Sequence, residues 1–465
     1  MQSLFVTPTR IQPLNDLAAV PSGSYMLYWM ENAHRVRNNP ALVYAVERAN
    51  EYGVPLFVCA VICPIKHQRY TSRQLKFLWE GLQDVRSQLE DRGIGFAVRQ
   101  GDPANIIVPL AGKAAMIVCD RGYFPEQVEK RKTIARHVDM SFIQVDSNLV
   151  VPLDQVSNKP EYAARTIRKK INRQRDQYLI LPGDLQVQTP PPTPAVHLNG
   201  LQDQSFAHIE RTLKAEPSVP PVHGITGGQH QAEEDLDAFL KSGLNGYASH
   251  SNQPWADNVS RLSKYLHFGQ ISPVKIAAAV RDCTQFSEGD REAFLEQLIV
   301  RRELAYNFVH FNPRYDSFEG LPAWAVETLQ THSSDVRAYH YTMTELEDAR
   351  THDPYWNAAM REMLYTGYMH NYMRMYWGKK VLEWSPTPEE AFDTLLALNN
   401  KYFIDGWDPN SYAGVGWIFG LHDHPWQERP IFGKVRYMSA AGLKRKANPE
   451  AYIEKVESLI AHQGT

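Results

Sequence analysis

Four stretches in the second half of the chain set polar side chains among apolar ones, and each could do chemistry. In DNVSRLSKYLHFGQIS (257–272), Ser260 and Ser263 stand where a loop turns into a helix. Hydroxyls and free backbone N–H groups there suit a phosphate or pyrophosphate, or they simply cap the helix. In FLEQLIVRRELAYNFV (294–309), Gln297 and Arg301 are four apart on one helical face, with Arg302 beside them. They would meet a polar ligand, or a carboxylate from elsewhere in the chain. YMHNYMRMYWGKKVLEW (368–384) sets Asn371, Arg374 and Met375 beside Trp377 and Trp384. Seven residues is almost two helical turns, so the two indoles share a face roughly 10 Å apart along the axis. They are either plain core or a path. NNKYFIDGWDPNSYAGVGW (399–417) holds Asn399, Asp405, Asp408 and Trp417 around a turn. A buried Arg374 needs a counter-charge, and Asp405 is a candidate.

Other templates do poorly. GxSxG, GxGxxG, the P-loop and His-Glu-x-x-His are all missing from the sequence. His422, Asp423 and His424 in LHDHPW read as a structural turn, so no metal is expected. With no nucleophile or acid/base dyad evident, the chemistry would rest on a cofactor. The 10 Trp and 23 Tyr, many of them after Tyr247, suit a flat ligand. The net charge of -3 means that any nucleic-acid binding must come from a local basic patch. Cys59, Cys63, Cys119 and Cys283 form no CxxC and read as reduced, buried thiols of a cytoplasmic protein. No signal segment and no apolar run of membrane length is visible.

The elements that must position these residues fall into two kinds. Up to about residue 150, apolar runs such as SYMLYWM, VPLFVCAVIC and AAMIVCD alternate with helical patterns. That predicts an α/β domain over 1–150, a doubly wound, Rossmann-like parallel sheet. In it, Ser72 and Gly93 bound a helix. Residues 151–245 read as a linker region. It carries a basic run, RTIRKKINRQR (165–175), and a proline-rich extended stretch, TPPPTPAV (189–196). Residues 246–465 are helical throughout, with 353–385 one continuous pattern.

Several motifs point to a family. YLHFGQIS, THDPYWNA, MHNYMRMYWGKKVLEWS, DPNSYAGVGW and HDHPWQERPIFGKVRYM occur in this order. With YWM near residue 29 and NKPEYAARTIRKKI near 165, they resemble the class II DNA photolyases of the photolyase/cryptochrome family. The resemblance spans nearly the whole chain. It implies a light-driven lyase that repairs cyclobutane pyrimidine dimers in double-stranded DNA, using reduced FAD held in the helical domain. It also implies a monomer, and an antenna pigment such as an 8-hydroxy-deazaflavin in the α/β domain. Carried over by position, Tyr247, Ser260, Leu262 and Ser263 would lie along the FAD phosphates and ribityl chain. Gln297, Arg301 and Arg302 fall on the helix lining the flavin. Arg374 and Asp405 match the ion pair near the isoalloxazine, and Asn399 the Asn beside flavin N5. Trp356, Trp377 and Trp384 match the chain that photoreduces the flavin. Trp417, Met375, Asn371 and Arg436 match lesion and DNA positions.

The sequence also departs from that pattern. Gln297 stands where the class usually has a glutamate, and a lesion-contacting arginine is replaced near Ser251. His424 ends the HDR turn, Asn371 replaces a glycine, and Trp407 alters DGRDPN. These changes leave dimer repair beside a pocket of altered lesion specificity and a cryptochrome-like blue-light photoreceptor. Dark flavin redox chemistry is a third reading, in which the tryptophan chain would have no role.

Overall fold

The computed structural model describes residues 3–63, 69–189, 200–256 and 258–461. Residues 190–196 of the proline-rich stretch lie outside them.

Six strands form one sheet in the order β1-β6-β5-β2-β3-β4. These are β1 (Ile11–Pro13), β2 (Tyr25–Met30), β3 (Leu56–Ile62), β4 (Gly95–Gln100), β5 (Ala114–Asp120) and β6 (Phe142–Val145). Five are parallel, while β1 pairs antiparallel with β6 at one edge. The expected all-parallel sheet is therefore mixed. Three residues of β1 are too few to show the alternation that betrays a strand. β2 and β5 are buried along their whole length, as central parallel strands must be.

Alternate β2 residues serve different cores. Tyr25, Leu27 and Trp29 join a small cluster with Ile107 and Ile134. Those come from α3 (Pro103–Ala111) and α4 (Pro125–Ala135). Met26, Tyr28 and Met30 join a larger cluster with α1 (Pro40–Tyr52) and α2 (Ser72–Glu90) that continues to Phe294, Leu304 and Ile404 of the helical part. Asn39 caps α1, its side chain accepting from the Ala41 and Leu42 N–H groups, and Gly53 ends it at φ 64°. Thr71 rather than Ser72 caps α2, in a capping box with Gln74. Ser72 is already helical and donates to Glu210. Cys59 and Cys119 are buried as expected, but Cys63 and Cys283 are only half-buried.

The linker region contains α5 (Ala164–Asn172), and the helical part includes the short α6 (Ser263–His267). The stretch expected as one helix over 294–309 is interrupted. α7 (Glu288–Leu295) passes into a π-helical turn, Glu296–Arg301, before α8 (Arg302–Phe311). The 353–385 pattern is likewise two helices, α9 (Pro354–Thr366) and α10 (Asn371–Trp384), because Gly367 turns left-handed at φ 65°. α11 (Pro388–Tyr402) and α12 (Pro409–Ile418) complete the frame around the site.

Two side-chain sets join the sheet to the helices. Arg73 donates to the carbonyls of Met363 at 3.1 Å and Tyr402 at 2.7 Å, and Gln74 Nε2 to those of Asn400 and Phe403 at 2.8 Å. These carbonyls end α9 and α11, where helices lack internal donors. Glu303 accepts from the Val150 and Val151 N–H groups at 2.8 and 3.1 Å. Burial pushes its carboxyl up to about 8.

Candidate functional site

Two adjoining cavities, of about 400 and 230 Å³, open between the π-helical turn, α10 and α12. Gln297, Arg301, Asn371, Arg374, Asn410 and Trp417 line both. Tyr247, Ser260, Leu262, Ser263, Arg302 and Asp405 line only the larger one. Met375, Trp377 and Asn399 line only the smaller one.

The π-helical turn inserts an extra residue into the helix and sets Gln297 outward. The Gln297 amide has no hydrogen-bond partner among the described residues. The Arg301 guanidinium lies 5.8 Å from the Trp417 ring centroid. Its carboxylate neighbour, Glu296 at 3.4 Å, is already held by Arg168 through contacts of 2.7 and 2.9 Å. Arg302 is turned differently. Its guanidinium donates to the Asn148 carbonyl at 2.7 Å and the Tyr306 hydroxyl at 3.0 Å, tying α8 to the α/β part.

Arg374 Nη2 lies 3.4 Å from Asp405 Oδ1, and Nε donates to the Met369 carbonyl at 3.0 Å. Its guanidinium also lies 3.8 Å from the Phe403 ring centroid, so the charge is held on three sides. Asn399 is buried and donates to Asn400 Oδ1 at 3.0 Å. The Trp407 N–H holds that same oxygen at 2.9 Å. Ser260 and Ser263 do not cap α6: its N-cap is Leu262, without a side-chain bond. Their hydroxyls face the larger cavity instead.

Trp356 and Trp384 line neither cavity. Trp356 stands between the other two indoles, 6.4 Å from Trp377 and 5.6 Å from Trp384 between ring centroids. Trp377 and Trp384 share α10, but the path between them runs through α9. Trp377 closes the smaller cavity, and its Nε1 is buried without a hydrogen-bond partner among the described residues. Beyond Trp384 stand Tyr341 at 5.0 Å and His352 at 5.5 Å, and Tyr339 stacks on His352 at 3.6 Å. Tyr339 is 47% exposed, so an unbroken line of rings joins the cavity to solvent. Sequence spacing does not reveal this extension, since His352 sits in THDPYWNA while Tyr339 and Tyr341 lie upstream of it and Trp384 far downstream.

A third cleft, of about 980 Å³, adjoins both cavities and shares Asn371 and Trp417 with them. Arg429, Arg436, Arg445 and Lys446 line it, against a single acid, Asp423. This is a local basic patch in a chain whose net charge is -3. The Arg436 guanidinium stands 4.9 Å from the Trp426 ring centroid, with His424 on the same indole. Lys379 is buried at its floor, with its amine donating to the Ile418 carbonyl at the end of α12. Burial lowers its pKa to about 7.

A fourth cavity lies at the carboxyl ends of β2 and β5, where open α/β sheets take ligands. Trp29, Asn32, His34 and Trp407 line it, and each has a buried ring or amide nitrogen without a hydrogen-bond partner among the described residues. Such groups fit a flat ligand carrying its own polar edge. Asp408, paired with His267 at 3.2 Å, lines both this cavity and the larger cavity of the helical part.

The DNA photolyase family model matches residues 26–195. A deoxyribodipyrimidine photo-lyase of Methanothermobacter thermautotrophicus is 42% identical over 97% of this chain and 98% of its own. A class III photolyase from Agrobacterium tumefaciens superposes with a TM-score of 0.70 at 18% identity, over 95% of this chain and 88% of that one. An archaeal photolyase from Sulfolobus tokodaii, crystallised with two FAD molecules, gives 0.68 at 15%, over 93% and 89%. The chain belongs to the photolyase/cryptochrome family.

Proposed function

We propose that this chain is a class II photolyase that uses light to repair cyclobutane pyrimidine dimers in double-stranded DNA. One observation carries the proposal: the line of indoles Trp384, Trp356 and Trp377, the first pair edge-on and the second stacked, ends on a cavity that adjoins a basic cleft. The lyase activity of the 42% identical relative supports it.

The adjoining cavities fit FAD. Trp377 offers an unpaired indole N–H, and Arg374 with Asp405 offers a polar pair beside it. Tyr247, Ser260, Leu262 and Ser263 would hold the phosphates and ribityl chain, and Asn399 the flavin edge near N5. Bound there in its reduced form, the flavin would supply under light the electron that splits the dimer.

The chain's own residues do the rest. Trp417 and Met375 would receive the flipped bases, since extrusion needs a pocket and damaged bases unstack at less cost. Gln297 would donate a hydrogen bond to a lesion carbonyl but has no carboxyl proton to relay. Arg436 and its basic neighbours would hold phosphates on either side. Trp377, Trp356 and Trp384 would refill the cofactor with electrons from the surface. The fourth cavity would take an antenna pigment, for which an 8-hydroxy-deazaflavin has suitable shape and polar edges. We further read residues 1–150 as the antenna domain and 246–465 as the catalytic domain, in a monomeric cytoplasmic enzyme.

Blue-light treatment of dimer-containing oligonucleotides with the reduced protein is the test, and unchanged oligonucleotides would end this reading. Gln297 and Ser251 keep a second reading in view, a cryptochrome-like photoreceptor. It would show flavin photoreduction with a change of association but no repair.

A further inference from the structure

The basic run after Tyr162 divides into two sets. In one, every cation is paired: Arg168 holds Glu296, Lys170 holds Glu161 and Arg175 holds Glu292. In the other, Arg165, Lys169 and Arg173 recur every four residues along one side, are open to solvent, and have no ion-pair partner among the described residues. Arg173 directly follows α5 and keeps helical angles, so the stripe is continuous. It spans about 12 Å at 1.5 Å per residue. At about 3.4 Å of axis per phosphate on one strand, that covers roughly three phosphates.

The stripe is also continuous with the candidate DNA site. Arg168 and Glu296 fasten α5 to the π-helical turn that carries Gln297 and Arg301. At its start, His422 Nδ1 lies 3.1 Å from the Tyr162 carbonyl oxygen, and His422 lines the smaller cavity. The Tyr162 ring is 60% exposed. The Arg165 guanidinium is 5.2 Å from its centroid, and one N–H donates to its hydroxyl at 2.8 Å. An exposed aromatic held by an arginine beside an unpaired basic row suits a nucleic-acid backbone better than a solvated helix face, which would leave its charges alternating and paired.

We propose that Arg165, Lys169 and Arg173, with Tyr162, form a phosphate track for the DNA flanking the lesion, separate from the Arg436 cleft. This rests on the DNA-repair reading above. The occupant is the sugar-phosphate backbone of duplex DNA running outward from the pocket past the π-helical turn. Its contacts are independent of sequence and lesion, so they add affinity without adding selectivity.

The test is the triple variant R165Q/K169Q/R173Q against the unsubstituted protein. Binding of a 30-base-pair dimer-containing duplex and of a four-nucleotide dimer-containing strand is titrated across salt. The three side chains are exposed, so an unchanged melting temperature verifies folding. The slope of log K against log salt for the duplex should shrink by about 2 to 3, at roughly 0.9 per lost phosphate contact. Duplex affinity should fall at least tenfold, while affinity for the four-nucleotide strand stays within twofold. Equal duplex affinity and slope in both proteins would overturn the track while leaving the repair reading intact. If the unsubstituted protein neither binds nor repairs the duplex, the repair reading falls and the track with it.

Discussion

The Trp356 indole lies nearly parallel to that of Trp377, with planes 15° apart, and its Nε1 donates to the Trp377 carbonyl at 3.0 Å. The middle ring of the line is thus fixed by the backbone of the helix that carries both ends. Trp356→Phe should stop or strongly slow flavin photoreduction, read as loss of absorbance near 450 nm under blue light with a reductant. Flavin content should stay unchanged, since Trp356 lines neither cavity. The smaller ring should cost about 1–3 kcal/mol of stability. Photoreduction at the unsubstituted rate would mean that the electrons take another route.

Arg374 and Asp405 are 23% and 11% exposed at their side chains, so neither charge can simply turn to water. Asp405→Asn leaves the guanidinium with the Met369 carbonyl and the Phe403 and Tyr368 rings. Retained FAD should fall tenfold or more, corresponding to about 1–3 kcal/mol for an unpaired buried charge. Flavin absorbance per protein after dialysis measures it. Full retention would show that the pair does not hold the cofactor.

Gln297→Glu restores a carboxyl at the mouth of the cavity. If the missing acid limits dimer splitting, the quantum yield of repair on a defined dimer oligonucleotide should rise. Affinity for DNA should change little, because Arg301 lines the same two cavities as the new charge. A lower yield would show that this pocket works through the amide.

Lys379 supplies a pH signature. Its folded pKa, lowered to about 7 by burial, is below the ordinary lysine value of 10.5. Between those values the unfolded chain binds the extra proton, so stability rises with pH from about 7 toward 10. This single group contributes a slope of up to about 1.4 kcal/mol per pH unit. In Lys379→Met that contribution vanishes, so the melting temperature of the variant should gain less between pH 7 and 9 than that of the parent. Parallel melting curves across that range would refute the assignment.

How far these features were legible varies with the physics behind them. Tyr25–Met30 was legible as a short apolar run, but the sorting of its alternate side chains between two cores was not, because a strand apolar on both faces shows no alternation. The need of Arg374 for a carboxylate followed from the cost of burying charge. β1 was hidden because three residues carry no period. The π-helical turn was hidden because a single inserted residue leaves an apolar helical pattern almost intact, yet it aims Gln297. Trp356 was visible as a motif residue. Its place between Trp377 and Trp384 depends on how α9 crosses α10, which no local spacing encodes. The cavity at the ends of β2 and β5 draws His267 and Asp408 from far along the chain, so no single stretch announced it.

Arg73 and Gln74 belong to a helix of the first 100 residues, yet they hold the carbonyl ends of α9 and α11, which carry Trp356 and Asn399. Their donors are supplied from outside the helical part, so those helix ends are incomplete in its absence. The seam between the two parts is therefore made of side chains from one and backbone carbonyls from the other, so a change at Arg73 would be felt at two helix ends at once.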